Sequence, residues 1–136
     1  MIRFALAAGL CLLAVPLPAT ADDERNLPVE SIDGQRLQLR GVSAEQDASG
    51  LRASGWVRRD PGNYGPVQAH LHAIALDANG RALQTVETRW HGNLPTVVRS
   101  RHAALFRVEF DPAVAASTSI VRVSVEPGPL HTASQP

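Results

Sequence analysis

The 136-residue sequence contains no lysine, one cysteine, one methionine and few aromatic residues. The cysteine, Cys11, and the methionine, Met1, both fall within the first 21 residues, which have the features of a secretory signal. A chain cleaved after Ala21 has neither a thiol nor a thioether, which excludes a disulfide and any sulfur ligand to a metal. Its core must then be stabilised by the burial of apolar side chains alone.

The signal prediction for residues 1–21 depends on three features. Arg3 supplies the positive start, residues 4–15 form an apolar run, and Ala19 and Ala21 place small residues before a cleavage site at Asp22. We therefore expect a periplasmic or secreted protein.

Two alternatives to a cleaved signal stay open. A retained membrane anchor would need roughly 20 apolar residues, and Pro16 and Pro18 interrupt the run well before that length. A lipoprotein would have to carry its acyl chains on Cys11, which has the bulky Leu10 beside it and a short apolar stretch before it. The composition favours cleavage over both, and we expect no membrane span after the signal is removed.

All thirteen basic residues are arginines. Without Arg3 the chain has twelve arginines and thirteen acidic residues, a formal charge of 12 − 13 = −1, and the two signs are interspersed. No basic stripe is present, so the sequence argues against nucleic acid and against an anionic membrane as partners.

The chain beyond the signal divides into three parts. Residues 22–33 are acidic and aperiodic, which is typical of a flexible lead-in. Residues 34–126 have the turn spacing of one β-rich domain, and residues 127–136, which begin Pro127-Gly128-Pro129, are expected to be a disordered tail. A cleaved chain of about 115 residues is long enough for a single domain.

Apolar side chains in this domain recur mostly with a period of two, as expected for strands with one buried face. The segment 43–50 is polar and is expected to be a turn, and Asn79-Gly80 is typical of a tight hairpin. Six strands are predicted, over residues 35–42, 51–59, 66–76, 81–90, 101–110 and 119–126. Such strands would leave an apolar face uncovered in one sheet, so we expect an all-β fold: an immunoglobulin-like antiparallel β-sandwich of six to seven strands.

Several fold elements carry a resemblance to a known family. They are Gly55-Trp56-Val57, residues 67–76 leading into Asp77-Ala78-Asn79-Gly80-Arg81, Leu94-Pro95, and Phe106-Arg107-Val108. In this arrangement the chain resembles the FxLYD-type and related bacterial immunoglobulin-like domains. The resemblance implies a sandwich fold and an accessory or binding role, and it implies no activity.

The motif His70-Leu71-His72 predicts a possible metal site. Residues two apart on a strand point to the same face about 6.5 to 7 Å apart, which allows two imidazoles to share an ion. The third ligand stays open between His102, Glu87 and a loop carboxylate. If Leu76 lies opposite Arg81, then His70 faces Glu87.

With no sulfur ligand, the metals that suit imidazole and carboxylate are zinc and oxidised copper. The competing interpretation is that His70 and His72 simply lie on the half-exposed outer face of a strand and bind no metal. Asp77 and Asn79 superficially resemble a calcium loop, but turn geometry explains both. Two interpretations also stay open for the aromatic residues Trp56, Tyr64 and Trp90. The preferred one is that they pack in the core or at a sheet edge, and the other is that they form an exposed aromatic recognition patch.

No nucleophile elbow is present in the sequence, and we expect no enzyme and no cofactor. The leading hypothesis is a non-enzymatic periplasmic accessory or binding module that engages another envelope protein or an extended peptide through a sheet edge. The alternative is a copper- or zinc-binding protein that uses His70 and His72, with His102 as a third ligand.

Overall fold

A computed structural model of the protein describes residues 24–34, 36–62, 65–94 and 102–131. The expected signal, its cleavage site and Tyr64 lie outside these residues. The described chain forms eight strands and one short helix: β1 Arg25–Leu27, β2 Val29–Ile32, β3 Leu37–Asp47, β4 Gly50–Arg59, β5 Ala69–Leu76, β6 Ala82–Thr88, β7 Ala104–Glu109, α1 Pro112–Ala115 and β8 Ile120–Pro127.

The strands form two four-stranded sheets that share one apolar core, so the expectation of a mostly β fold is confirmed. One sheet has the order β1-β3-β4-β7, and the other has the order β2-β8-β5-β6. Neighbouring strands are antiparallel except β2 and β8, which run parallel. In the described ranges no helix is both long and apolar enough to cross a membrane.

The segment expected to be a flexible lead-in contains the first two strands. Pro28 separates them, and at this residue the chain passes from one sheet to the other. The carbonyl of Pro28 accepts a hydrogen bond from the amide of Val121, and Leu27 is buried in the core. Both strands are too short to show a period, which is why their sequence gave no strand signal.

Strand β3 continues through Ser43 and beyond, where the sequence indicated a turn. A bulge between Arg40 and Ser43, with Gly41 at a positive φ of 57°, shifts the alternation so that Ala44 points into the core. The polar residues around Ala44 then occupy the outer face of the strand. The turn itself is confined to two residues before Gly50.

The alternation of apolar residues in the sequence predicts six core residues, and all six are buried: Leu71, Phe106, Val108, Phe110, Val121 and Val123. Phe106 is completely buried and lies against Gly55 of the neighbouring strand. A Cβ atom at Gly55 would lie 2.9 Å from the Phe106 ring, so the close packing requires glycine at that position.

The predicted hairpin between β5 and β6 is confirmed, with a different register. Asp77 accepts hydrogen bonds from the amides of Asn79 and Arg81, and Gly80 has a φ of 78°. A register shift between Ala75 and Leu76 moves the partner strand, so His72, and not His70, lies opposite Glu87. The expected register was therefore wrong by two residues at the histidines: one because Leu76 pairs with Ala82 and not with Arg81, and one from the shift after Ala75.

Candidate metal centre

His70 and His72 lie on the outer face of β5, as the alternation predicts. The residues between and after them, Leu71 and Ala73, point into the core and are fully buried. His70 is nevertheless only 1% exposed, whereas the side chain of His72 is 26% exposed. The description of a half-exposed outer face therefore holds for His72 alone, and another part of the chain must cover His70.

The segment after β8 provides this cover. Gly128 has a φ of 90°, in the left-handed region that favours glycine, and its amide donates a 3.0 Å hydrogen bond to the carbonyl of Gln68. This turn brings the chain back over β5. The ring of His131 then meets the ring of His70 edge-on, with 5.5 Å between centroids.

The turn also fixes the tautomer of His70. Its Nδ1 lies 2.9 Å from the carbonyl oxygen of Gly128, which can only accept a hydrogen bond, so Nδ1 carries the proton. In a neutral ring, Nε2 then presents its lone pair. Metal-binding histidines are typically oriented by such a hydrogen bond from the other ring nitrogen.

Nε2 of His70 lies 2.9 Å from Nε2 of His72, which also lies 3.1 Å from Oε1 of Glu87. The same carboxylate oxygen is 3.3 Å from Nδ1 of His131, and Oε2 accepts a 3.2 Å hydrogen bond from the His131 amide. His70, His72, Glu87 and His131 form the His/Glu group, in which one ligand atom from each residue lies within 4.8 Å of the others.

The electrostatics of the group favour an ionised carboxylate. Desolvation raises the pKa of Glu87, but the amide and ring of His131 together with the ring of His72 lower it by more, so it lies below its ordinary 4.5. On the other side of β5, Glu126 lies opposite His70 and accepts a hydrogen bond from Ser124. Negative charge therefore flanks the imidazoles on both neighbouring strands.

The spacing of these atoms suits a small cation. Two ligands of a tetrahedral zinc ion, at 2.0 to 2.1 Å from the metal, are about 3.3 Å apart. Consecutive donor atoms of the group are separated by 2.9, 3.1 and 3.3 Å, and the four atoms all lie within 4.8 Å of one another, so the more distant ligands would have to move closer to surround one ion. The donor set of three imidazoles and a carboxylate is one that zinc and oxidised copper both accept.

The group differs from the predicted ligand set in two members. His70 and His72 come together with Glu87, one of the candidates for the third ligand. His102 is not among them, because it is exposed and precedes β7 in the opposite sheet. His131 joins instead, although the sequence placed it in a disordered tail. The only sequence signal for its position is Gly128, whose turn returns the chain to β5.

Comparisons of the chain with protein-family models, with curated proteins and with solved structures found no match. Among the described residues, the His/Glu group is a feature that points to a function.

Proposed function

We propose that the protein is an exported, non-enzymatic metal-binding protein that holds zinc or oxidised copper in the His/Glu group. The observation that supports this most directly is the convergence of four ligand atoms within 4.8 Å, from the two strands of the β5–β6 hairpin and from the segment after β8. The hydrogen bond from His70 to Gly128 adds a pre-oriented ligand to that geometry.

The expected accessory role is part of the proposal. Catalytic zinc sites keep one coordination position open for water or substrate, whereas four protein ligands close the tetrahedron. A closed site binds an ion without transforming a substrate. This supports a binding module over an enzyme.

The compartment and the fold family also belong to the proposal. Periplasmic or secreted location is inferred from residues 1–21, and an intact mass that starts at Asp22 would test it. We also propose that the two sheets of this protein pack in the way that those of FxLYD-type immunoglobulin-like domains do. The strand order is different in detail. If β1 and β2 together correspond to strand A, then β3 and β4 correspond to strands B and C, which lie in different sheets in the ABED/CFG order of constant-type immunoglobulin domains but pair within one sheet here.

Isothermal titration of the tag-free chain from Asp22 onward, with zinc and with copper(II), tests metal binding. We expect one ion per chain. The variants His72→Ala, Glu87→Gln and His131→Ala should each weaken binding by at least the roughly 10- to 100-fold that loss of a supporting partner costs. The matched controls are His91→Ala and His102→Ala, which remove exposed imidazoles outside the group.

Equal weakening by the control variants would indicate unspecific binding to surface histidines and would contradict the proposal. So would wild-type affinity in all three group variants. Because all three changed side chains are at least partly exposed, these variants should fold, and their unfolding midpoints without metal check that they do.

A further inference from the structure

A second feature lies on the opposite sheet, at the centre of its outer face. Trp56 of β4 is flanked by Arg40 of β3 on one side and by Leu105 of β7 on the other. Trp56 is 46% exposed and Leu105 is 42% exposed. The side chains of Trp56 and Leu105, two large apolar residues, are thus adjacent and exposed to solvent on neighbouring strands.

The exposure of Trp56 follows from the alternation of β4. Ala53, Gly55 and Val57 point into the core, so Trp56 must point away from it. The bulge of β3 keeps Gly41 beside the indole, where a side chain would begin 3.7 Å from Trp56 Cδ1. The glycine leaves one side of the ring uncovered.

Arginines surround this apolar pair. Gln38 accepts hydrogen bonds from both Arg40 and Arg58, which holds two guanidinium groups around one neutral amide. Arg107 is exposed two residues beyond Leu105 on the same face. In the described part of the chain, none of these three arginines has a carboxylate within the 4.0 Å of an ion pair.

The far end of the same face is different. There Arg52 lies 2.8 Å from Asp47 and 3.9 Å from Glu45, and its cross-strand neighbour on β7 is Glu109. One arginine and three carboxylates give that end of the face a formal charge of 1 − 3 = −2, whereas the positive charge around Trp56 is uncompensated. The Trp56 surface consists of Arg40, Trp56, Arg58, Leu105 and Arg107.

We propose that the Trp56 surface binds an acidic segment of a partner protein, with an apolar or aromatic side chain of that segment against Trp56 and Leu105. Like charges held close together are unfavourable, and carboxylates of a partner would relieve the repulsion between Arg40 and Arg58. Tryptophan and arginine are also the residues that most often dominate the binding energy of protein interfaces.

Two observations narrow the mode of binding. The carbonyl of Leu105 at the open edge of β7 already accepts a 2.8 Å hydrogen bond from the His91 amide, which obstructs addition of a strand there. Docking therefore uses the face of the sheet. Glu45 and Glu109 at the end of that face would repel any anionic chain that continued past the arginines. A short acidic stretch confined to the arginines around Trp56 avoids this repulsion and a continuous polyphosphate does not, which favours a protein segment over nucleic acid.

The test uses a labelled synthetic peptide rich in glutamate that carries two phenylalanines, and a second peptide in which glutamine replaces each glutamate. Fluorescence anisotropy should show binding of the acidic peptide only, with an affinity that falls as salt is added. Trp56→Ala, Arg40→Gln and Arg107→Gln should each weaken binding about tenfold or more. The control is Arg81→Gln, an exposed arginine of the β5–β6 turn.

Three results would overturn the proposal: wild-type affinity in the surface variants, equal binding of the glutamine peptide, or tighter binding of anionic phospholipid vesicles or duplex DNA than of the acidic peptide. All changed side chains are exposed, so the variants should unfold at the wild-type midpoint. Zinc titration of the same variants should be unchanged, because the His/Glu group lies on the other sheet.

Discussion

Nδ1 of His70 donates a 2.9 Å hydrogen bond to the carbonyl of Gly128, 58 residues away in sequence. The contact joins the centre of one sheet to the turn that follows its neighbouring strand β8. It fixes the imidazole of His70 and, through the same turn, places His131 against Glu87. Two of the four candidate ligands therefore depend on the conformation of a single glycine.

Replacement of Gly128 by alanine should weaken zinc binding. Its φ of 90° lies in the left-handed region, where a Cβ costs on the order of 1–2 kcal/mol, and no atom within 4 Å would clash with the added methyl group. The turn should relax and carry the carbonyl and His131 away from the group. Unfolding in urea and zinc titration measure the two effects separately.

Gly80→Ala is the matched control, because Gly80 has a φ of 78° and equally open surroundings, but lies in the hairpin turn away from the group. It should lose a similar amount of stability and keep its affinity for zinc. If both alanine variants bind zinc as the wild type does, the Gly128 turn does not orient the ligands.

The sequence predicted half of this site for a physical reason. His70 and His72 share a face because the two-residue period of a strand is local, and it can be read directly from the sequence. The position of Glu87 depends on register, which the bulge between Ala75 and Leu76 changes without any sequence signal in the turn. His131 depends on a contact across most of the domain, and neither period nor turn chemistry encodes it.

Phe106→Ala should reduce the free energy of unfolding by about 3–5 kcal/mol, because it leaves a cavity between the two sheets. Phe106 is fully buried against Gly55, and Gly55 has no side chain that could fill the space. The control is Leu105→Ala at the adjacent, outward-facing position, where the loss should be within about 0.5 kcal/mol. Equal losses measured by urea unfolding would contradict the assignment of inner and outer faces.

The difference between inward- and outward-facing residues also explains which strands could be predicted from the sequence. β4 and β7 alternate between buried and more exposed residues, and β8 does so except at the buried Ser124; each was found within a few residues of its predicted bounds. β1 and β2 have three and four residues, so no alternation can be recognised in them. They become strands because their neighbours offer free backbone groups, a tertiary effect that overrides local propensity.

Asp47→Asn should destabilise the β3–β4 turn in a pH-dependent way. The hydroxyl and amide of Ser49 hold the pKa of Asp47 below its ordinary 3.8, with Arg52 adding to the effect and desolvation opposing it. A carboxyl whose pKa is lowered by folding stabilises the folded state. This stabilisation is fully present above pH 3.8, the ordinary pKa, and is lost as the pH falls through the lower pKa of the folded state.

Urea unfolding at neutral pH should therefore show the asparagine variant to be less stable than the wild type, and the difference should shrink below about pH 4. Glu109→Gln, which neutralises an exposed carboxylate on the same face, is the control and should change stability little at either pH. A difference for Asp47→Asn that does not depend on pH would mean that lost geometry, and not lost charge, destabilises the turn.

Zinc should raise the unfolding temperature of the wild-type protein, and a chelator should return it to the metal-free value. A ligand that binds only the folded chain adds about 2.7 kcal/mol at a free concentration one hundred times its Kd. The double variant His72→Ala, Glu87→Gln should show no such rise, since it removes the atoms at the centre of the His/Glu group. His91→Ala, His102→Ala should keep the full rise. If the two double variants respond alike, zinc stabilises the fold from somewhere other than this group, and the proposed metal centre is wrong.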